Sequence, residues 1–337
     1  MGRLQLSWGV DSDASFTLAL TSVLPRIKRG GIERVYVETE WTELLAHNPG
    51  CEAVKPGFAP PPGTFIVRLP RPDLFYGTEL SPAYSWAAVV AKQLADARLL
   101  DLSSPIPAVP KVYVTAREAG ENLLDRGVMK GKRYWIVAAP AEQTDLRRVD
   151  VHAFRAIVTA LTYAADFPCV VQAGGALDTA FHLFLRSGAV SLLNRVMARE
   201  TVVVASKAEG ALCRPGVYEL LAAAFGKPRV LVTGQWAHDP AYLAPDTIPG
   251  EFVWDRDLTV PILPRKWICP QAGCGFRQLQ ECPHGRKCVN DPYLHAVIAD
   301  ATKDAQRRED AGEPETDDQN VSRACVRGDE GRGRRAP

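Results

Sequence analysis

The sequence has no long apolar run. None of its hydrophobic stretches approaches the roughly 18 residues that a bilayer-spanning helix needs, so no such helix is expected. It has no excess of charge either: 40 Lys and Arg face 39 Asp and Glu, a net charge of +1. That balance argues against gripping nucleic acid through bulk charge, although it leaves room for a local basic patch. The first residues, Met1-Gly2-Arg3-Leu4-Gln5-Leu6, lack the apolar core and small-residue cleavage site of a secretory signal. A cytoplasmic location is the expectation. In that setting the 8 cysteines read as thiols or metal ligands before structural disulfides. Gly-x-Gly-x-x-Gly is missing after the first strand pattern, which disfavours a nicotinamide enzyme.

What is present is ordinary globular composition, 46% hydrophobic and 23% charged, over 337 residues, more than one core usually fills. Residues 4–7, 34–38, 64–68 and 111–115 read as strands, and 14–28 and 84–100 as helices. In the first helix Phe16, Ala19, Leu20, Val23, Leu24 and Ile27 recur at three- and four-residue steps. After Glu118 the alternation restarts. Residues 134–138, 169–172, 201–205 and 229–233 read as buried strands, with helices at 151–164, 189–198 and 216–225. Such alternation implies parallel sheets covered on both faces. The expected fold is α/β, two doubly wound Rossmann-like domains facing a cleft, with residues 1–125 in the first and 126–301 in the second. Ligands in such folds sit at the carboxyl ends of strands, so the cleft is the expected site. From Thr302 the chain has no Leu, Ile, Phe, Tyr, Trp or Met and is dense in Arg, Asp, Glu and Gly. Residues 302–337 are therefore expected to be a disordered, charged tail.

The loop after the first strand, Trp8-Gly9-Val10-Asp11-Ser12-Asp13-Ala14, leads into the first helix. Asp13 reads either as that helix's N-cap or as a general base facing the cleft, and the two roles are compatible. Gln235-Trp236-Ala237-His238 follows the strand ending near Gly234. Trp236 is placed to stack on a base or sugar, or to cover the core. Cys269-x4-Cys274-x7-Cys282-x5-Cys288, with His284 inside, is dense enough for a structural zinc on four thiolates. Free packing thiols, and a redox or disulfide role, stay open for the same four, since no Cys-x-x-Cys pair occurs. Cys51, Cys169, Cys213 and Cys325 show no ligand spacing.

Three segments, in order, carry a resemblance. They are Gly9 through Asp13-Ala14 to Leu20, followed after a strand by Glu43-Leu44-Leu45-Ala46-His47-Asn48-Pro49; Leu221-Ala222-Ala223-Ala224-Phe225-Gly226-Lys227-Pro228 followed by Val230-Leu231-Val232-Thr233-Gly234; and Glu281-Cys282-Pro283-His284-Gly285-Arg286-Lys287-Cys288 with Asp291-Pro292. Over roughly residues 5–300 the chain resembles the heptosyltransferase-like glycosyltransferases, glycosyltransferase family 9, of the GT-B fold. The resemblance implies an inverting, metal-independent transferase with no cofactor needed for catalysis. It would move a heptose or other sugar from a nucleoside-diphosphate sugar to a hydroxyl-bearing acceptor, whether a glycan, a small molecule or another. It implies an acceptor-side first domain and a donor-binding second domain. It makes Asp13, rather than Asp11, the base. The family's phosphate-loop Lys has no match here. Arg148 is nearest by spacing, unless it is simply a solvated surface residue. Amides of the turn from Glu209 and Gly210 through Gly216 are candidates for the diphosphate, against an ordinary βα loop. Asp178 is a candidate for the ribose hydroxyls, against a helix N-cap. Gly234 and Trp236 complete the donor set.

The chain also departs from the family. Its His before the Ala-rich helix is Leu220 here, and a longer segment holding Cys213-Arg214-Pro215-Gly216-Val217-Tyr218-Glu219 replaces the family's Asp/Ser-Gly-Leu. These losses fall on donor contacts. The alternative function is a catalytically inactive relative acting as a binding or assembly module. For a sugar transferase acting on nucleic acid, nothing in the composition speaks.

Overall fold

Short runs of β-branched residues and Leu alternate with helices rich in Ala and Leu, and the two kinds of element assemble into two parallel sheets. The structure, a computed structural model, describes residues 2–7, 14–27, 31–69, 86–100, 109–120, 131–138, 151–164, 166–174, 190–192, 195–213, 216–232, 259–262 and 292–311. The first half holds β1 (Gly2–Ser7), α1 (Ala14–Ile27), β2 (Ile32–Glu38), a 3-10 turn (Thr42–Leu45), β3 (Glu52–Val54), β4 (Thr64–Arg68), α2 (Trp86–Asp96) and α3 (Ala116–Gly120). Its strands lie in the order β3-β2-β1-β4, all parallel. The second half holds β5 (Tyr134–Ala138), α4 (Val151–Thr162), β6 (Cys169–Ala173), β7 (Val190–Ser191), α5 (Ala198–Lys207), β8 (Gly210–Cys213), α6 (Val217–Ala224), β9 (Arg229–Val232), β10 (Thr259–Ile262) and α7 (Pro292–Ala311). Its order is β10-β9-β8-β5-β6-β7, again parallel. Two doubly wound α/β sheets are what the alternation implied. Among the described residues no helix is long and apolar enough to cross a membrane.

The core explains why α1 is more than amphipathic. Phe16, Leu20, Val23, Leu24 and Ile27 pack on Leu4, Leu6, Val35 and Val37 of the first sheet. Its polar residues are buried too: Ser15, Thr17, Thr21 and Ser22 are enclosed, Ser15 beside Gly216 of the second half, Thr17 against Thr39 at the end of β2 and Thr21 against the Lys111 amide. The hydroxyls of Thr21 and Ser22 donate to the carbonyls of Leu18 (2.6 Å) and Ala19 (2.7 Å), which satisfies them without water. Through α1 and α6 one apolar cluster runs from Leu4 to Leu220 and Leu231, so the halves share a core. A second cluster, built on Trp135, Val137, Ile157, Leu161 and Ile298, fills the far face of the second sheet under α4 and α7.

Five sequence expectations need correction. Residues 201–205, Thr-Val-Val-Val-Ala, form helix α5 instead of a strand; Glu200 accepts the Met197 amide (2.7 Å) at its start, and Tyr134 Oη donates to Val204 O (2.7 Å). Residues 189–198 were expected to be helical. Val190–Ser191 is instead the edge strand β7, and helix begins only at Ala198. The expected turn after Glu209 is strand β8, whose glycine lies against the Trp135 ring; a Cβ on Gly210 would stand 2.4 Å from the indole. Residues 111–115 belong to no ladder, being held by side chains: Thr21 accepts the Lys111 amide (2.7 Å), and Asn48 donates to the Lys111 carbonyl (3.0 Å). Finally, residues 302–311, assigned by composition to the tail, are the second half of helix α7, with Thr302, Ala305 and Gln306 buried. Residues 312–337 lie outside the described residues.

Candidate functional site

In a parallel sheet all carboxyl ends share one edge, where the following loops can converge on a ligand. In this chain β1 runs into residues 8–13, β5 into 139–150, β6 into 174–189 and β9 into 233–258. Asp13, Arg148, Asp178, Gly234 and Trp236 fall in those segments, all outside the described residues, as are Cys269, Cys274, Cys282 and Cys288. The start of α1, which flanks the first of these segments, is described and meets the second half. Ala14, next after Asp13, begins α1 and is buried. Ser15 lies beside Gly216, the residue before α6: a Cβ on Gly216 would stand 3.6 Å from Ser15 Oγ. The amino ends of α1 and α6, one from each half, therefore abut.

Gly216 has φ 152° and ψ −151°, a conformation essentially confined to glycine. Its carbonyl accepts the Leu220 amide (3.0 Å), the first helical bond, and its own amide donates to Glu219 Oε2 (3.0 Å). Glu219 is only 5% exposed. Burial pushes its carboxyl up to about 7, against the opposing pull of Arg229 and the Gly216 amide. Near neutrality a large share of Glu219 is thus uncharged, and the positive end of the α6 dipole is left partly uncompensated. Such a helix start attracts anions. Glu219 had been given no role, although a Glu three residues after a glycine that precedes an apolar helix is the carboxylate half of a capping box.

Glu209 and Gly210, expected in the same turn, sit elsewhere. They mark the amino end of β8, at the opposite edge of the sheet from Gly216. Glu209 accepts two bonds from Arg133 (2.6 and 2.5 Å) and one from Gln306 (3.1 Å), and its amide donates to Tyr134 O (2.9 Å). Asp310 pairs with the same Arg133, and Gln306 accepts from Trp135 Nε1. This network ties α7 onto β5 and β8 and leaves the expected turn with Gly216 alone at the carboxyl edge.

A polar cluster that the sequence reading left without a role lies at the carboxyl edge of the first sheet. Ser7, Glu38 and Arg68 are register partners on β1, β2 and β4. Burial works against ionising Glu38, but donation from the Gly57 amide (2.8 Å), from Gln5 Nε2 (2.9 Å) and from Ser7, with Arg68 nearby, holds its carboxyl below the usual range. Behind it the Thr17 and Thr39 hydroxyls bond at 3.0 Å, joining α1 to the end of β2. A charged residue closing a buried β-branched strand was the available signal. Among the described residues no group of three or more His, Cys, Asp or Glu is placed to hold a metal.

Two parallel doubly wound sheets with abutting helix starts are the arrangement of the GT-B fold. No protein-family model matches the sequence, and no curated protein matches it. Solved structures do match the fold. A glycosyl transferase family 9 protein from Veillonella parvula DSM 2008 superposes with a TM-score of 0.60 at 9% identity, over 91% of this chain and 98% of that one. The dodecameric, iron-containing glycosyltransferase TibC from enterotoxigenic E. coli H10407 gives 0.56 at 14% identity, over 90% of this chain and 76% of that one. The ADP-heptose lipopolysaccharide heptosyltransferase II of E. coli gives 0.52 at 13% identity, over 90% of this chain and all of that one. The chain thus has the fold of the family that its motifs resemble.

Proposed function

We propose that the protein is an inverting, metal-independent glycosyltransferase that uses a nucleoside-diphosphate sugar. The observation that carries this reading is the meeting of Ser15, two residues after Asp13, with Gly216 at the start of α6. It supports a site where a base from the first half and anion-binding amides from the second act on one substrate pair. Asp13 takes the proton of the acceptor hydroxyl as that oxygen attacks the anomeric carbon; the bond to the diphosphate breaks on the opposite face and configuration inverts. The leaving diphosphate gathers charge, which the α6 amino end and Arg148 stabilise. Asp178, Gly234 and Trp236 hold the nucleoside. Ser7, Glu38 and Arg68 face the acceptor side.

A second reading has one observation in its favour. Leu220, where the family has His, is 4% exposed and packed in the core, so no polar group acts from that position. This favours an inactive relative that binds ligand without transferring it. Titration with ADP, UDP, GDP and their sugar derivatives, followed by thermal shift and by release of nucleoside diphosphate, separates the two. Stabilisation together with release supports transfer, and stabilisation alone supports the binding module. No response to any of them refutes both.

A further inference from the structure

The segment Glu43-Leu44-Leu45-Ala46-His47-Asn48-Pro49 carries part of the family resemblance, yet its polar side chains reach toward the junction of the two halves. Glu43 Oε2 accepts the backbone amide of Arg199 (3.2 Å) in the first turn of α5, a helix start where an anion is favourable. The Arg199 guanidinium crosses back: Nε and Nη2 donate to Glu118 Oε1 and Oε2, both at 2.7 Å, and Nη2 also donates to the Tyr113 carbonyl (2.7 Å). The fork is a bidentate, charge-assisted pair. It lowers the Glu118 carboxyl well below its usual range, first through the Arg199 bonds and then through the Thr115 amide and hydroxyl. The two side chains are only 17% and 24% exposed, so the pair is better shielded than an ordinary surface ion pair. His47 Nε2 lies 3.4 Å from Glu118 Oε1, on a residue held at φ 63°. Asn48 pins the connecting segment at Lys111 O (3.0 Å), while Thr21 of α1 holds the same residue's amide (2.7 Å).

We propose that Glu43, Glu118 and Arg199 form an interdomain clasp. It fixes α5 of the second half onto the 42–48 segment and the 109–120 connection of the first, and so holds the start of α1 against Gly216. Arg199 is a positioning residue in this arrangement. The proposal goes beyond the reading of the site as a transferase and is independent of which ligand binds, because its test needs no activity.

The test is hydrogen exchange on the full chain, comparing wild type with Arg199→Ala. Neither α1 nor α6 contributes a clasp side chain that contacts Arg199. If the clasp holds the halves together, peptides over 14–27 and 217–224 exchange tenfold or more faster in Arg199→Ala. Peptides over 134–138 and 169–173 then stay within twofold of wild type. Arg199→Lys, which keeps the charge but not the fork, recovers part of the protection. Faster exchange confined to 198–207, with α1 and α6 unchanged, overturns the proposal, because Arg199 would then only anchor its own helix. Should Arg199→Ala exchange fast throughout, Glu118→Gln, which retains an acceptor for Thr115, decides by the same criterion.

Discussion

Glu219→Gln gives a quantitative handle on the start of α6. The carboxyl is fully enclosed, and burial raises it from an ordinary value near 4.5 to about 7. An acid raised on folding stays protonated in the native state while its unfolded counterpart ionises. Its contribution is therefore fully present below pH 4.5 and is lost as pH rises towards 7. At about 1.4 kcal/mol per pH unit, that window corresponds to about 3 kcal/mol. Gln keeps an oxygen for the Gly216 amide but cannot ionise. Urea unfolding of both proteins at a series of pH values reads the difference directly, and groups common to both cancel. The stability of Glu219→Gln relative to wild type should climb by about 3 kcal/mol between pH 4.5 and 7.5. A relative stability that stays flat to within about 1 kcal/mol would show that Glu219 ionises normally. The partly neutral carboxyl beside the anion-attracting helix start would then have to be abandoned.

Further outcomes are expected from the same geometry. Gly210→Ala drives a Cβ to 2.4 Å from Trp135 Cζ2, in a ring that is 0% exposed, so overpacking should cost about 1–3 kcal/mol and lower the urea midpoint; an unchanged midpoint would contradict the packing of β8 on β5. A chain ending at residue 301 loses Gln306, the partner of Trp135 Nε1 and Glu209, together with buried Thr302 and Ala305. Losing a buried partner costs about 1–3 kcal/mol before packing is counted, so this chain should melt on the order of 10 °C below one ending at residue 311. Equal melting temperatures would restore a tail that begins at Thr302.

How far the sequence could be read depended on what each segment's neighbours demand. Strands β1, β4, β5 and β6 were legible because β-branched and large apolar residues fill each run and the sheets bury both faces. Helix α1 was legible from its apolar steps, although the burial of its hydroxyls was not, because their neighbours (Thr39, Lys111 and Gly216) are distant in sequence. Residues 201–205 carry three consecutive valines. Strand propensity pointed one way, while the Glu200 cap and the burial of Val202, Val203 and Val204 between elements made a helix. Strand β8 was read as a turn because Gly210 lacks β propensity; the glycine is there to admit an indole that is distant in sequence. The second half of α7 looked unable to fold because Ala and Gln bury little apolar area. Its anchors are polar bonds to Trp135 and Glu209, 171 and 97 residues away, which composition cannot register. At the site, the Gly216 turn was legible as a glycine before a helix, whereas Glu209 was misplaced by the same missed strand.

We propose that Asp13, the residue before α1, acts on a sugar nucleotide held by the α6 amino end. The most direct measurement compares nucleoside-diphosphate affinity and sugar transfer in Asp13→Asn and in wild type. Affinity should stay within about twofold while the transfer rate falls by about 10²–10⁴, the usual contribution of a general base. Transfer at the wild-type rate by Asp13→Asn would contradict the claim.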